Sequence, residues 1–496
     1  MQATRPAAAA LAAVLFLFCS GCAGTGPYPL EKLKPTPAER AAFTALPEPV
    51  PLTPDAGEPA EDAPAGPPRL APDRVLSLPE AVSLALAGNY RVRMALRGEG
   101  IADDGLSMAL TQYYPSFEVK GMYHARNNDP GMVSPALGAS FITGEKDGYA
   151  ASFYVNYLLT DFGGRYFRVA RTRLDAAVAR LAGMDEVRKV TMEVSEAYFN
   201  LLLAQGFHQV ARDSLALYES QVKVSRDLFD HQMVAKNDVL SAEIGLAEAR
   251  QALVRAGNNI ELARAALNFS LGMSIDGPTR IKDVDDVPEL SVTYPQCLLV
   301  AIDHRPELAR LRAEKKQAEA GLAEAKTEFA PRLVAQGEYT TATDKYLLNK
   351  EYAAAGVLLS WDLIAGGKIP AKVRQARRFV EQVEDRAQLT SDSVALEVKS
   401  AWLRLKENQE NFQVARAAVA QAQENLALFR QQYESTLVSV TDVLAAQALL
   451  TKSRFTYLST LYDYHIALAR LESAVGRSLF TETDNPDQRP DNGKSN

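Results

Sequence analysis

Four stretches of this chain alternate apolar and polar residues with a period of two, the pattern of a β-strand with unlike faces. In the first, Phe117, Val119, Gly121 and Tyr123 fall on one side and Ser116, Glu118, Lys120 and Met122 on the other. The second sets Phe153, Val155, Tyr157 and Leu159 against Ser152, Tyr154, Asn156 and Leu158. A Gly- and Pro-bearing loop, Asn127 to Asp147, separates the two. The third and fourth run from Arg332 to Thr341 and from Tyr352 to Trp361, joined by a shorter polar loop. Strands are predicted at about 113–124, 149–160, 332–341 and 352–361. Each has roughly the nine to eleven residues that cross a bilayer as a tilted strand, and aromatic residues cluster on them as an interfacial girdle requires.

After each strand pair, Gly-Gly opens a long run of helical periodicity. Helices are predicted at about 165–229 and 238–268, and again at 368–434 and 441–475. The first of these would measure about 100 Å at 1.5 Å per residue, which suits a coiled coil rather than a compact core. Ala415, Ala418, Ala422, Leu426, Phe429 and Tyr433 recur at spacings of three and four. Leu444, Ala448, Thr451, Phe455, Leu458 and Tyr462 continue the seam in the next helix. The many Ala residues let neighbouring helices approach closely.

The pattern occurs twice. Tyr114-Pro115-Ser116 returns as Ala330-Pro331-Arg332, and Leu158 to Gly164 returns as Leu359 to Asp362 followed by Gly366-Gly367. Ala197-Tyr198 returns as Ala401-Trp402, Asp238-Val239-Leu240 as Asp442-Val443-Leu444, and Leu271-Gly272 as Val475-Gly476. The last three pairs share one offset, so two copies of one structural unit are expected, residues 76–275 and 276–478. Four membrane-crossing strands cannot close a barrel, which needs about eight. Open edges in lipid would leave backbone groups unpaired, so other chains must complete the sheet. Three copies supply twelve strands and twelve helices. The expected architecture is an α+β membrane protein: a trimeric twelve-stranded β-barrel continued by an α-helical periplasmic tunnel.

The N-terminus changes the setting. Arg5 and the apolar run from Ala7 to Phe18 read as a signal peptide over 1–21, too short to span a membrane. Ser20-Gly21-Cys22 resembles a bacterial lipobox, with Cys19 where Leu is usual. That resemblance implies acylation of Cys22, and Ala23 after it implies sorting to the outer membrane; an ordinary secretory signal is the alternative. Several buried acyl chains, at about 0.8 kcal/mol per CH₂, make a firm anchor. Residues 22–75, rich in Pro, Ala and acidic side chains, read as a tether. Leu78-Pro79-Glu80-Ala81 looks like the first helix start, and 479–496 reads as a disordered tail. Only Cys297 remains as a thiol of the mature body, expected to be a buried small apolar residue.

Charge and motifs remove other functions. The net charge of -7 and the lack of a basic tract argue against nucleic-acid binding. Asp161-Phe162-Gly163 lacks the companion loops of a kinase and reads as a helix cap. Gly366-Gly367-Lys368 lacks the remaining residues of a P-loop. The five His residues do not pair at metal-ligand spacing, and His465 reads as seam packing. Arg310 to Lys326 reads as the solvated face of a helix. No enzyme, metal or cofactor is expected.

The duplicated unit, the Gly-Gly after each hairpin and the repeated Asp-Val-Leu resemble the TolC outer-membrane efflux family over nearly all of 76–478. The resemblance implies a homotrimer in the outer-membrane lipid, docked to a periplasmic membrane-fusion adaptor. The adaptor joins an inner-membrane pump of the RND or ABC class, and the assembly serves efflux or type I secretion. It also implies a periplasmic tip in which Gly stands six residues before each Asp-Val-Leu. Here Gln232 and Thr436 occupy those positions, and the family's tip Arg is Val438. Asp238, Tyr433 and Asp442 are the implied gate, with Tyr433 expected to hydrogen-bond Asp238. Gln232, Val234, Thr436 and Val438 are the implied adaptor contacts. Both Asp residues also suit helix capping. A lipid-tethered periplasmic coiled-coil spacer, a membrane-fusion adaptor and a non-conducting family member are the competing readings.

Overall fold

The computed structural model describes residues 74–477, apart from 137, 285–286 and 289–291. Cys22, the signal segment, the tether up to residue 73 and the tail lie outside the described residues. Contacts divide the chain into two compact units. One holds Ile101–Val178 and Ala313–Asp385; the other holds 74–100, Ala179–Arg312 and 386–477. Each unit therefore takes segments from both sequence copies.

The first unit carries the main sheet. β1 (Val75–Leu76), which belongs to the other unit, pairs in parallel with β6 (Arg280–Ile281). β2 (Ser116–Ala125), β5 (Asp147–Thr160), β7 (Arg332–Ala342) and β8 (Glu351–Ser360) form one antiparallel sheet in the order β2-β5-β7-β8. The register aligns the apolar set predicted from the alternation: Phe117 faces Val155, Val119 faces Phe153, and Phe153 faces Tyr339. Phe117 and Phe153 rings lie 6.1 Å apart, and those of Tyr123 and Tyr149 4.8 Å. This aromatic face is exposed, with Val119 at 75% and Phe117 at 65%. β2 and β8 are its two open edges. The Gly- and Pro-bearing loop is itself folded: β3 (Gly131–Ser134) and β4 (Ala139–Ile142) make a small hairpin within it. Their short apolar runs gave too little alternation to be recognised.

α1 (Leu78–Gly88) and α2 (Tyr90–Leu110) precede β2, as α5 (Tyr294–His304) and α6 (Pro306–Thr327) precede β7. The long helices follow: α3 (Gly164–Asp230) with α4 (Lys236–Ser270), and α7 (Lys368–Glu434) with α8 (Val440–Val475). α3 and α7 both have 67 residues, so the duplication is structural as well as sequential. Asp161 caps the first of them, its carboxylate accepting the Arg165 backbone N–H at 2.6 Å. Among the described residues no helix is long and apolar enough to cross a membrane.

The short helices open alike. Ser77 with Glu80, and Thr293 with Gln296, form capping boxes, each with Pro in the first turn. Matching aromatic residues then tie the segments beside them to the long helices. The Tyr198 hydroxyl donates to the Leu76 and Lys282 carbonyls, at 3.1 and 2.5 Å, while Trp402 Nε1 donates to Val292 O at 3.0 Å. Burial pushes the Tyr198 pKa up to about 12. Cys297 is buried in the core around α5, and His465 stacks on Phe199 at 5.0 Å, both as expected from sequence. The charged run in α6 differs from expectation. Glu324 pairs with Arg168 at 2.9 Å and Arg171 at 3.1 Å on α3, and Leu311, Ala313, Ala318 and Ala320 are buried, so this helix is docked rather than freely solvated.

Gly272 and Gly476 end α4 and α8 with φ of +72° and +80°. A Cβ on Gly272 would lie 2.6 Å from Gly88 O, at the end of α1. Gly272→Ala should therefore cost about 2 kcal/mol or more, seen as a lower thermal midpoint of the helical circular dichroism signal. Gly257→Ala, inside α4 with nothing within 4 Å of the added carbon, should gain about 0.5–1 kcal/mol. Equal shifts in the two variants would refute this account of Gly272.

Candidate functional site

The tips of the two long helix pairs are built by one turn used twice. Beyond α3, Gln232 N–H donates to Phe229 O at 2.8 Å and Met233 N–H to Leu228 O at 2.9 Å. Beyond α7, Thr436 N–H donates to Tyr433 O and Leu437 N–H to Gln432 O, both at 2.9 Å. This pair of bonds is the Schellman motif, which closes a helix with one left-handed residue. Gln232 and Thr436 are those residues, at φ of +60° and +56°. Both turns thus hold an L-residue in the left-handed region that favours glycine, at the cost of strain.

Val234 and Val438 follow the turns and pack, half-buried, against a core of Val222, Ala242, Leu426, Val440 and Val443. Gln232 and Thr436 are exposed. Of the four positions expected from the resemblance to meet an adaptor, only these two present their side chains freely.

The three residues expected to form a gate separate into different local arrangements. Asp442 caps α8: its Oδ2 accepts from Ser439 N at 3.0 Å and Ser439 Oγ at 2.7 Å. Those hydrogen bonds hold its carboxyl below the usual carboxylate value. The matching N-cap of α4 is Ala235, which has no side-chain oxygen to cap with. Asp238 is thereby left without the capping box that engages Asp442. Tyr433 is buried, and its hydroxyl lies 3.1 Å from Ser225 Oγ rather than bonding Asp238 as expected from sequence. Burial raises the Tyr433 pKa; the Ser225 bond opposes this, and the nearby Asp238 charge adds to it. Ser225 was missed because a small polar residue within a helix carries no signal of the partner it will meet. The Ser439-x-x-Asp442 box was legible, since Ser three residues before an acid at a helix start is a capping signature.

Ser225 belongs to a polar seam between the long helices. Gln221 Nε2 donates to Ser225 Oγ at 3.3 Å, Ser214 and Thr451 hydroxyls lie 3.1 Å apart, and Gln447 Nε2 reaches Leu217 O at 3.5 Å.

Comparison with known proteins matches the chain to the outer membrane efflux protein family over residues 81–273 and 298–477, most of its length. The chain belongs to the outer membrane efflux protein family. Among relatives of this efflux protein is the alkaline protease secretion protein AprF of Pseudomonas aeruginosa, 24% identical over 347 residues, covering 66% of this chain and 70% of AprF. The fold resembles the CmeC outer membrane channel of Campylobacter jejuni, with a TM-score of 0.71 at 16% identity, over 80% of this chain and 85% of CmeC. It also resembles the outer membrane protein VceC of Vibrio cholerae, with a TM-score of 0.69 at 15% identity, over 81% and 96% of the two chains. This efflux protein is an outer-membrane channel for efflux or secretion, in a family of channels rather than enzymes.

Thr436→Gly should relieve the left-handed residue and stabilise the tip by about 1 kcal/mol, read as slower amide exchange near the turn. Unchanged or faster exchange would contradict the strain. Asp442 has a folded pKa below its ordinary value of 3.8, so its cap is complete above that value and is lost as pH falls through the lower folded one. Protection of the first turn of α8 should therefore hold from pH 7 to about 4 and fall below that, and Asp442→Asn should remove the step. A step near neutrality would show that another group controls this turn.

Proposed function

We propose that this efflux protein works as a homotrimer, its sheet closed with two further copies into a twelve-stranded barrel in the outer membrane. The observation that carries the reading is the sheet itself: four strands, two open edges and one exposed aromatic face. In lipid the apolar face is satisfied but the edges are not, and β8 of one copy can pair antiparallel with β2 of the next. The helices carry matching signs of unmet contact. Leu389, Leu396, Leu403, Val414 and Leu428 form an exposed stripe on α7, and Leu240, Ile244, Leu262 and Phe269 form another on α4. Two different stripes suit a head-to-tail interface that closes a ring.

The helix pairs then line a periplasmic conduit that serves tripartite efflux or type I secretion. Its tips meet a membrane-fusion adaptor through Gln232, Thr436 and the backbone around Val234 and Val438, and the adaptor joins an inner-membrane pump of the RND or ABC class. Cys22, acylated, adds a lipid anchor. Asp442 caps its helix and also lines the tip in threefold array, where carboxylates draw cations and repel anions. Asp238, free of the capping box, shares this role, and Tyr433 holds the tip helices together through Ser225.

Purified, detergent-extracted protein in planar bilayers should give uniform, cation-selective steps from particles of trimer mass. Asp442→Ala should lower the cation-to-anion permeability ratio, and unchanged selectivity would remove Asp442 from the gate. Monomers without conductance would leave a lipid-tethered helical spacer as the better reading.

A further inference from the structure

We propose that Glu338 is a cation-selecting residue of the barrel lumen, acting on positively charged organic solutes where the strands cross the membrane. The inference rests on the barrel reading above. The face of the sheet opposite the aromatic one carries two adjacent levels of side chains in register across all four strands. Glu118, Tyr154, Glu338 and Ala354 form one level; Lys120, Ser152, Thr340 and Tyr352 form the next. Three charges lie in this belt, and they are not equivalent.

Lys120 Nζ is 3.2 Å from Glu118 Oε2 and 4.9 Å from the centre of the Tyr154 ring. The positive charge is thus compensated on its own strand. Glu338 is held differently: its Oε1 accepts from Thr340 Oγ1 at 2.8 Å and from the Tyr352 hydroxyl at 2.9 Å. Thr340 in turn lies 2.7 Å from Ser152 Oγ, which ties the arrangement to β5. Among the described residues no Lys, Arg or His forms an ion pair with Glu338. An uncompensated carboxylate partway along a membrane strand is tolerated only where that face meets water, so the belt faces the lumen. The two hydroxyl donors fix the position of the carboxylate. Three copies repeat this carboxylate around the pore while each Lys120 remains engaged, leaving the belt net negative. Tyr154 and Tyr352 add aromatic faces, which favour organic cations over bare ones.

The test is block of single channels of the full-length protein by spermine, applied to each side of the bilayer in turn. Glu338→Gln should raise the half-blocking concentration from the more sensitive side by about tenfold. Lys120→Gln, which uncovers Glu118, should lower it. Equal block of wild type and Glu338→Gln, with trimer mass and unit conductance unchanged, would overturn the proposal while leaving the barrel intact. Absence of trimers and of conductance in the wild type would overturn both. Should Glu338→Gln fail to assemble, Glu338→Cys modified after insertion with a negatively or a positively charged thiosulfonate reads the same dependence. Block that is strong with the negative reagent and weak with the positive one supports the role, and indifference to the reagent's sign refutes it.

Discussion

Along β2 and β8, ten residues each, the outer rows of backbone N–H and C=O groups have no partner strand among the described residues, and in lipid each such group left unpaired costs several kcal/mol. A single chain with an exposed aromatic face between two such edges is an incomplete object. Closure with further copies answers both edges at once and needs only that the first and last strands run antiparallel, which four meandering strands guarantee. The exposed stripes on α4 and α7 carry the same incompleteness into the helices. The polar face follows as well, because a closed barrel turns it toward water, where Glu118, Lys120 and Glu338 are tolerated.

Duplication supplies the rest of the architecture, and the two copies have diverged where chemistry is located. Helices of equal length, paired capping boxes and the matched Tyr198 and Trp402 anchors show how closely the two copies still agree. At the tips a single difference, Ala235 against Ser439, changes what the following Asp does. Asp442 is drawn into a cap, whereas Asp238 is left to act on Tyr433 through its charge. Equivalent positions in a repeat therefore need not carry equivalent roles.

Much of this architecture is legible in the amino-acid sequence. Period-two alternation located all four strands of the main sheet, because one face of each is apolar and the other polar. Helical periodicity and Gly-Gly placed the long helices to within a few residues. What escaped was set by tertiary context. The β3–β4 hairpin is too short for its pattern to stand out, and the charged run of α6 looks solvated until Glu324 meets Arg168 and Arg171 across a helix interface. At the tips, Gln232 and Thr436 stand where the resemblance implies glycine, yet they adopt the left-handed conformation because the Schellman bonds and the packing of Val234 and Val438 hold it. The family resemblance brought Tyr433 and Asp238 together but could not reveal Ser225, on α3, as the hydroxyl's hydrogen-bond partner.

Edge-to-edge cysteine cross-linking in native outer membranes tests the central claim most directly. Pairs of single cysteines, one scanned along β2 and one along β8, would be oxidised and resolved on denaturing gels. Closure by copies predicts covalent dimers and trimers at the registered pairs and none at pairs displaced by one residue. Monomers alone at every pair, from protein that is folded and membrane-inserted, would contradict it.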